Sequence, residues 1–489
     1  MITRLKDLLF TNRSTKQTIV KNVFWLSMSQ IGSRLIRAAI IIYAARVLGA
    51  AEYGIFSYVL GLAGFFTIFA DLGVSPLMTR EIAGHPEKKE IYFTNAIRIK
   101  VLLISLTAAL IIFVAPRFSN IEGAVVLIPF VALLVIFDNL RDFIFAYFRG
   151  IEKMEREAFL IVIMNTAIAL FGFIVLQFNK TAGALLFSYI ASVVILSIVA
   201  FYFIKDAIKG IFKNFDKEIF KQFYRNSWPF AFIGLFGIFM LNIDIIMLGW
   251  LRSAEEIGYY SASQRVVQIL YTLPAIIASA IFPAVARFIK QKDFDKAKIL
   301  NEKSITMLYF IAMPLAIGGI VLSSAIIAFL FGKEYLPASV SFQILIASVL
   351  IQFPSAILSN LTIAHNQQKK LIGYAAFGSI SNVLFNALLI PIWGIAGSAI
   401  ATLTAQLAFY VPIWLKMKRI NNFYTFRHLK KIIASAAIMG ISAFFINKLG
   451  VNVLLNIIIS AGVYLIAIYL LKEKILKDII SLSQKVKTP

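Results

Sequence analysis

The sequence predicts an all-α, polytopic membrane protein of about fourteen transmembrane helices: two pseudo-symmetric six-helix bundles around a central cavity, plus two C-terminal helices. Three observations predict it. The 489 residues are 60% hydrophobic and only 15% charged, outside the range of soluble domains. Apolar segments of about 20 residues, long enough to cross a bilayer as a helix, recur from one end to the other. Finally, the stretch "AAEYGIFSY" at 50–58 is written again as "AEEIGYYSA" at 254–262.

The first twenty residues are basic and broken by polar residues, without the apolar core and cleavage site of a secretory signal, so the first span is expected to remain in the mature chain. Spans near 22–46, 54–79, 96–115, 123–147, 158–177 and 182–203 make the first bundle, within 1–210. A second bundle within 211–418 takes spans near 229–250, 258–284, 305–331, 338–363, 371–391 and 395–415. Residues 419–489 hold two further spans, near 432–447 and 452–471, and a basic cytoplasmic tail. Pro76, Pro274, Pro354 and Gly378 are candidate bending points within these spans.

A second echo supports the repeat. "NTAIALFGFIVLQFNKTAGALLFSYIAS" at 165–192 resembles "NVLFNALLIPIWGIAGSAIATLTAQ" at 382–406, so spans five and six match eleven and twelve. An even number of spans per repeat starts both halves from the same side and relates them by an axis along the membrane normal. Two like bundles facing one another enclose a cavity, which is transporter architecture.

The net charge of +24 is topological in origin. Of 48 Lys and Arg residues, 38 fall on the N-terminal segment and every second connection, six on the opposite connections and four inside spans. That asymmetry places both termini in the cytoplasm of a cell-membrane protein. With no basic stripe interleaved with aromatics on a soluble domain, nucleic acid is not an expected partner. The absence of cysteine excludes disulfides, thiol catalysis and thiolate metal sites. Outward connections are short, which leaves little room for the catalytic loops of a glycan polymerase or ligase.

Charges inside the membrane point to function, because each costs about 2.5–3.5 kcal/mol at a helix centre. Ser27, Gln30, Arg34 and Arg37 share one stripe of span one, while Asp138, Arg141 and Asp142 sit on span four. Ser261, Gln264, Arg265, Gln268 and Thr272 form a stripe on span eight. Arginine walls suit an anionic guest, since planar guanidinium matches phosphate oxygens bidentately. The competing structural account pairs Asp138 with Arg141 and Asp71 with an arginine of span one. Asp244 on span seven, with Asn382, Asn386, Ser398 and Thr402 on spans eleven and twelve, are oxygen ligands for Na⁺ or a proton, or else interhelical hydrogen-bonding groups.

"ARVLGAAEYGIFSYVL", "FADLGVSPLMTREIA", "NSWPFAFIGLFGIFMLNIDIIMLGW" and "EEIGYYSASQRVVQI" together resemble the polysaccharide-biosynthesis oligosaccharide flippases of the multidrug/oligosaccharidyl-lipid/polysaccharide exporter superfamily. The resemblance covers nearly the whole chain. It implies a non-enzymatic flippase that moves a polyprenyl-diphosphate-linked oligosaccharide from the cytoplasmic to the outer leaflet by alternating access. By similarity to the lipid II flippase, it implies Arg265 and either Arg34 or Arg37 as diphosphate-binding arginines, and an ion-coupling set of Asp244, Asn382, Asn386 and Thr402. Gln30, Gln268 and Arg141 complete the expected substrate-binding set. Partners are then the lipid-linked glycan, membrane lipids and glycan-assembly proteins; no cofactor is expected beyond a coupling ion. No GxxxxGK[ST] loop occurs, so direct ATP coupling is not expected. The alternatives are a drug/cation antiporter of the same superfamily, which would want carboxylates in the cavity, a membrane glycan polymerase or ligase, and a passive scaffold.

Overall fold

The computed structural model describes residues 15–210, 214–424 and 429–473. Residues 1–14 of the basic N-terminal segment and residues 474–489 of the basic C-terminal tail lie outside them. Among the described residues the regular structure is helical, without a strand, and ten helices are long and apolar enough to cross a membrane. One of the ten, Gln368–Asn421, is double-length, and Thr15–Thr67 and Ile128–Gly150 coincide with three more expected spans. The pattern is consistent with fourteen segments in a multi-pass membrane protein.

The chain divides into two compact units, the first ending at Gly258 and the second beginning at Tyr259. In the first, α1 (Thr15–Thr67) is followed by α2 (Val74–Gly84), α3 (Lys89–Phe113), α4 (Ile128–Gly150), α5 (Met154–Phe178) and α6 (Ala182–Phe203). An amphipathic connector, α7 (Lys217–Asn226), leads to α8 (Trp228–Leu251) and the start of α9 (Ala254–Leu270). α1 packs against α5, α4 and α8, and α4 against α2, α3 and α6. α8 opens the second sequence repeat yet packs on α1, so compactness and internal likeness draw different boundaries along the chain.

The second unit continues with α10 (Thr272–Lys290), α11 (Phe294–Val321), α12 (Ser323–Phe331), α13 (Ala338–Ala347), α14 (Val349–Ala364), α15 (Gln368–Asn421), α16 (Leu429–Lys448) and α17 (Val453–Leu470). α14 packs on α10, α11 and α15. The C-terminal pair docks on α11 through Leu429, Ile432, Ala436, Met439, Tyr464 and Ile468 against Tyr309, Phe310, Met313 and Ile317.

Local chemistry sets the helix ends. Asp216, Asp293 and Asn452 accept backbone N–H groups at the starts of α7, α11 and α17, the usual remedy for unpaired first-turn donors. Thr181 caps α6, and Glu52 accepts the Ala182 N–H at 2.6 Å, placing a carboxylate at the positive end of that helix.

Breaks in the helices fall both beside prolines and away from them. Pro76 and Pro274 sit in the first turns of α2 and α10, where proline is tolerated, and Gly378 lets α15 approach itself closely at Ala405 and Phe409. Of the three prolines, Pro354 is the one in a helix interior, in α14. The sharp changes of direction are at Gly49 (φ 72°) and Gly394 (φ 56°), left-handed positions that glycine takes without a Cβ penalty. The repeated stretches are therefore the starts of the helical segments that follow the turns, not the turns themselves.

Candidate functional site

On the first unit, the stripe read on span one is presented openly: Ser27, Gln30, Arg34 and Arg37 are all exposed. Arg37 Nε donates to Asn165 Oδ1 at 3.1 Å, and the Asn165 amide is fixed by its own bond to the Ile161 carbonyl at 2.8 Å. Among the described residues neither Arg34 nor Arg37 contacts a carboxylate. The two guanidinium groups lie close enough to repel each other, and Arg37 lies within electrostatic reach of Asp138.

Arg141 is different. It is buried, and it ion-pairs with Asp138 one turn back and with Asp142 at 2.8 Å. Its guanidinium also contacts the Met164 sulfur and lies 5.5 Å from the centre of the Phe145 ring. The expected internal pair with Asp138 is present. Met164 and Asn165 are adjacent on α5, so one short stretch of α5 receives Arg37 from α1 and Arg141 from α4. Asn165 and Met164 are not recognisable as partners from the sequence, because neither residue type stands out in an apolar span.

Asp71 does not meet an arginine of span one. Its partner is Lys100 on α3, a residue that position alone assigns to a basic connection but that is 1% exposed. Lys21, also 1% exposed, similarly pairs with Glu155 at 2.9 Å. Both are buried ion pairs between helices rather than solvated topogenic charges.

On the second unit, Arg265 is half-buried and its Nη1 donates to Gln268 Oε1 at 3.4 Å. Ser261 and Gln264, from the same predicted stripe, are buried, so the stripe splits into a packed edge and a more open edge carrying Arg265, Gln268 and Thr272. Nearby in the same unit, Ser398 Oγ donates to Asn386 Oδ1 at 2.9 Å. The Asn386 amide in turn donates to both the carbonyl and the side-chain oxygen of Asn382, at 2.9 and 2.6 Å. Thr402 shares a 3.0 Å hydrogen bond with Tyr260. These oxygens supply dipoles but no charge, and neighbouring donors already engage them, so the set does not fit a cation unaided. Asp244, on α8 of the first unit, is fully buried.

The family described as Polysaccharide biosynthesis protein matches residues 19–289, more than half of the chain. The chain belongs to that family. A second family, MatE, matches residues 229–388. Among curated relatives of this family member, the probable low-salt glycan biosynthesis flippase Agl15 of Haloferax volcanii is 25% identical over 92% of each chain. The putative O-antigen transporter of Shigella flexneri is 25% identical over 65% of this chain and 78% of its own. The capsular polysaccharide biosynthesis protein CapF of Staphylococcus aureus is 22% identical over 82% of this chain and all of its own. Among solved structures, the lipid II flippase MurJ in an inward closed conformation superposes with a TM-score of 0.78 at 18% identity, over 93% of this chain and 100% of that one. An inward-facing multidrug resistance MATE transporter gives 0.62 at 14% identity, over 80% and 99%. Those likenesses establish the fold.

Proposed function

We propose that the protein is a flippase for a polyprenyl-diphosphate-linked oligosaccharide in cell-surface polysaccharide biosynthesis. The observation that carries this reading is end-to-end similarity to a probable glycan biosynthesis flippase, with 92% of each chain aligned. The chemistry agrees with it. Arg34 and Arg37 on the first unit, and separately Arg265 on the second, are guanidinium groups that contact no carboxylate among the described residues, and diphosphate oxygens have the charge and acceptor geometry that suit such groups. Gln30 and Gln268 add neutral hydrogen-bonding capacity beside these arginines, while Arg141, held by two acids, positions the α4–α5 face.

The work done is translocation, from the cytoplasmic to the outer leaflet by alternating access, with the prenyl tail left in lipid and both termini in the cytoplasm of a cell-membrane protein. No bond in the cargo is made or broken. An arginine-rich set is opposite in sign to what a drug/cation antiporter requires. Of the expected ion-coupling set, Asp244 on the first unit is the buried carboxylate that could take a proton or Na⁺, while Asn382, Asn386 and Thr402 on the second are neutral hydrogen-bonding groups. Partners in this reading are the lipid-linked glycan, membrane lipids and glycan-assembly proteins.

The test is reconstitution in liposomes containing a short prenyl-diphosphate oligosaccharide, with exposure of the glycan read by an externally added glycosidase. Wild-type protein should move donor between leaflets and Arg265→Ala should not, with the glycan length unchanged throughout. Exposure no faster than in protein-free liposomes would defeat the proposal, and lengthened glycan would point to a polymerase.

A further inference from the structure

Between the end of α6 and the start of α8 the sequence places a basic residue at every fourth position: Lys205, Lys209, Lys213, Lys217, Lys221 and Arg225. Charge asymmetry across a membrane asks only that basic residues lie on one side, not that they keep a helical period. Residues four apart share one face of a helix. Lys213 lies outside the described residues, while Lys217, Lys221 and Arg225 form an exposed row along α7. Among the described residues none of these three meets a carboxylate.

The opposite face of α7 is already taken. Phe223 is 1% exposed, with its ring 6.2 Å from that of Tyr92 on α3. Just ahead of the helix, Asn95 Oδ1 on α3 accepts the Asp216 N–H at 3.3 Å, and the Arg98 guanidinium lies 4.5 Å from the centre of the Phe215 ring. An interfacial helix ordinarily buries its apolar face in lipid. Here that face packs on α3 and the charges turn outward.

What the charges face follows from the continuation of the helix. Pro229 lacks the N–H that the Arg225 carbonyl would accept, which separates α7 from α8. Helical hydrogen bonds nonetheless run across the junction, from the Ser227 N–H to the Phe223 carbonyl at 3.0 Å and from the Ala231 N–H to the Ser227 carbonyl at 3.1 Å. Lys217, Lys221, Tyr224, Trp228 and Phe232 therefore follow one another at steps of four, three, four and four along one face, and all five are exposed. In chain order that face carries ammonium groups, then Tyr and Trp, then Phe within a membrane-crossing helix. This is the order of a bilayer from headgroups through interface to hydrocarbon. At the other end of the connector Tyr202, also exposed, closes α6 with the Lys205 Nζ 5.0 Å from its ring centre.

We propose that this face binds anionic phospholipids of the cytoplasmic leaflet, with Lys217, Lys221 and Arg225 on the headgroup phosphates and Tyr224 and Trp228 at the acyl boundary. Phosphate oxygens supply the counter-charge that the row lacks. The acids of the connector do not supply it. Asp216 accepts the N–H groups of Glu218 and Ile219 at 2.9 and 3.1 Å, and Glu218 stands in the first turn of α7, where the helix dipole favours it. An acidic protein segment would satisfy the same cations but leave Tyr224, Trp228 and Phe232 uncovered. Bound lipid pins the connector between the two sequence repeats, and with it the entry of α8, at the headgroup plane.

The absence of native cysteine makes the test direct. Bimane on Glu218→Cys, an exposed position beside the row, reports nearby nitroxide by quenching in the full chain in phosphatidylcholine nanodiscs. The probes are phosphatidylglycerol and phosphatidylcholine, each carrying the nitroxide high on an acyl chain and added at equal mole fraction. The anionic lipid should quench more, and about 1 M salt should shrink the difference. Each basic side chain removed should lower the preference about fivefold, until the two lipids quench alike in Lys217→Gln, Lys221→Gln, Arg225→Gln. Lys88→Gln, Lys89→Gln, Lys153→Gln removes as much charge from exposed positions elsewhere and should keep the preference. Equal quenching in the chain with its row intact, or a preference lost equally in the second triple variant, overturns the proposal. A bimane signal that an oligoglutamate peptide shifts while the two lipids quench alike would make the face a protein-docking surface and overturn it too. Should the first triple variant fail to fold, a preference that salt does not reduce overturns it equally. No cargo enters the measurement, so its failure and that of the flippase reading are separate.

Discussion

Gly54 lies against the backbone of Ala254: a Cβ there would strike the Ala254 carbonyl oxygen and sit 2.8 Å from the Gly258 nitrogen. The contact is reciprocal. A Cβ on Gly258 would strike the Ala50 carbonyl oxygen. Ala50 and Gly54 occupy the same places in their stretch as Ala254 and Gly258 in theirs, so one contact is made twice with the partners exchanged. Each stretch is a small-xxx-small pair, the pattern that lets membrane helices approach backbone to backbone where lipid offers no hydrophobic drive to associate. This explains why the chain carries the motif twice. The seam runs on along α1 and α8, where Gly61 faces Ile245, Gly64 faces Asn242 and Gly249 faces Tyr58.

Gly54→Ala and Gly258→Ala are therefore expected to destabilise the first unit. The obstructing atoms are backbone carbonyls that cannot rotate away, and overpacking of this kind costs about 1–3 kcal/mol. Gly373, inside α15 with nothing within 4 Å of an added Cβ, is the control. Alanine there should be neutral or gain about 0.5–1 kcal/mol from helix propensity. Thermal unfolding in detergent, followed by tryptophan fluorescence, ranks the three, and equal midpoints for Gly54→Ala and Gly373→Ala would refute the close-approach account.

Much of the fold was legible because bilayer thickness fixes helix length and leaves long apolar runs in the sequence. The arginine stripe of span one was legible for a related reason: Ser27, Gln30, Arg34 and Arg37 recur at helical spacing against an apolar background. What stayed hidden depends on pairing at a distance. Lys100 reads as one more basic residue beside a span until Asp71, 29 residues earlier, is placed against it. Some breaks were hidden, since a left-handed glycine such as Gly394 looks like any other glycine, whereas Pro76 and Pro274 each stand in the first turn of a helix that restarts after a break.

The two kinds of arginine should separate by mutation. Arg141→Leu leaves Asp138 and Asp142 within the membrane without their cation, and breaking a buried pair in this way costs about 3–5 kcal/mol. The triple variant Arg141→Leu, Asp138→Asn, Asp142→Asn removes the stranded charge and should recover most of that loss. A triple variant no more stable than Arg141→Leu alone would mean that the acids are adequately solvated and the pairing is incidental.

Arg37→Ala and Arg265→Ala, in contrast, break no ion pair among the described residues and should leave the unfolding midpoint within about 1 kcal/mol of wild type, losing at most the neutral hydrogen bonds to Asn165 and Gln268. Their effect belongs in binding. Loss of a hydrogen bond to a charged group is worth about 1.5–3 kcal/mol, so affinity for a soluble prenyl-diphosphate analogue should fall about ten- to hundredfold. Replacement by lysine should recover only part of this, because an ammonium cannot reproduce the two-pronged geometry. Isothermal titration with the analogue measures it, and undiminished affinity in both alanine variants would remove these arginines from the site.

Asn386→Asp probes the neutral network of the second unit. The Asn386 amide now donates to two oxygens of Asn382, and a carboxylate would set acceptor against acceptor at a fully buried position. An unsatisfied buried polar group costs about 1–3 kcal/mol, and a charged one more, so the variant should unfold at lower temperature in sodium-free buffer. The same change concentrates negative charge among the oxygens of Asn382, Ser398 and Asn386, a donor set that hard cations favour. Added Na⁺ should accordingly restore stability to the variant while leaving the wild type unmoved. If the wild type gains as much from Na⁺ as the variant does, the amide is not the element that keeps this cluster neutral, and the cluster binds the ion as it stands.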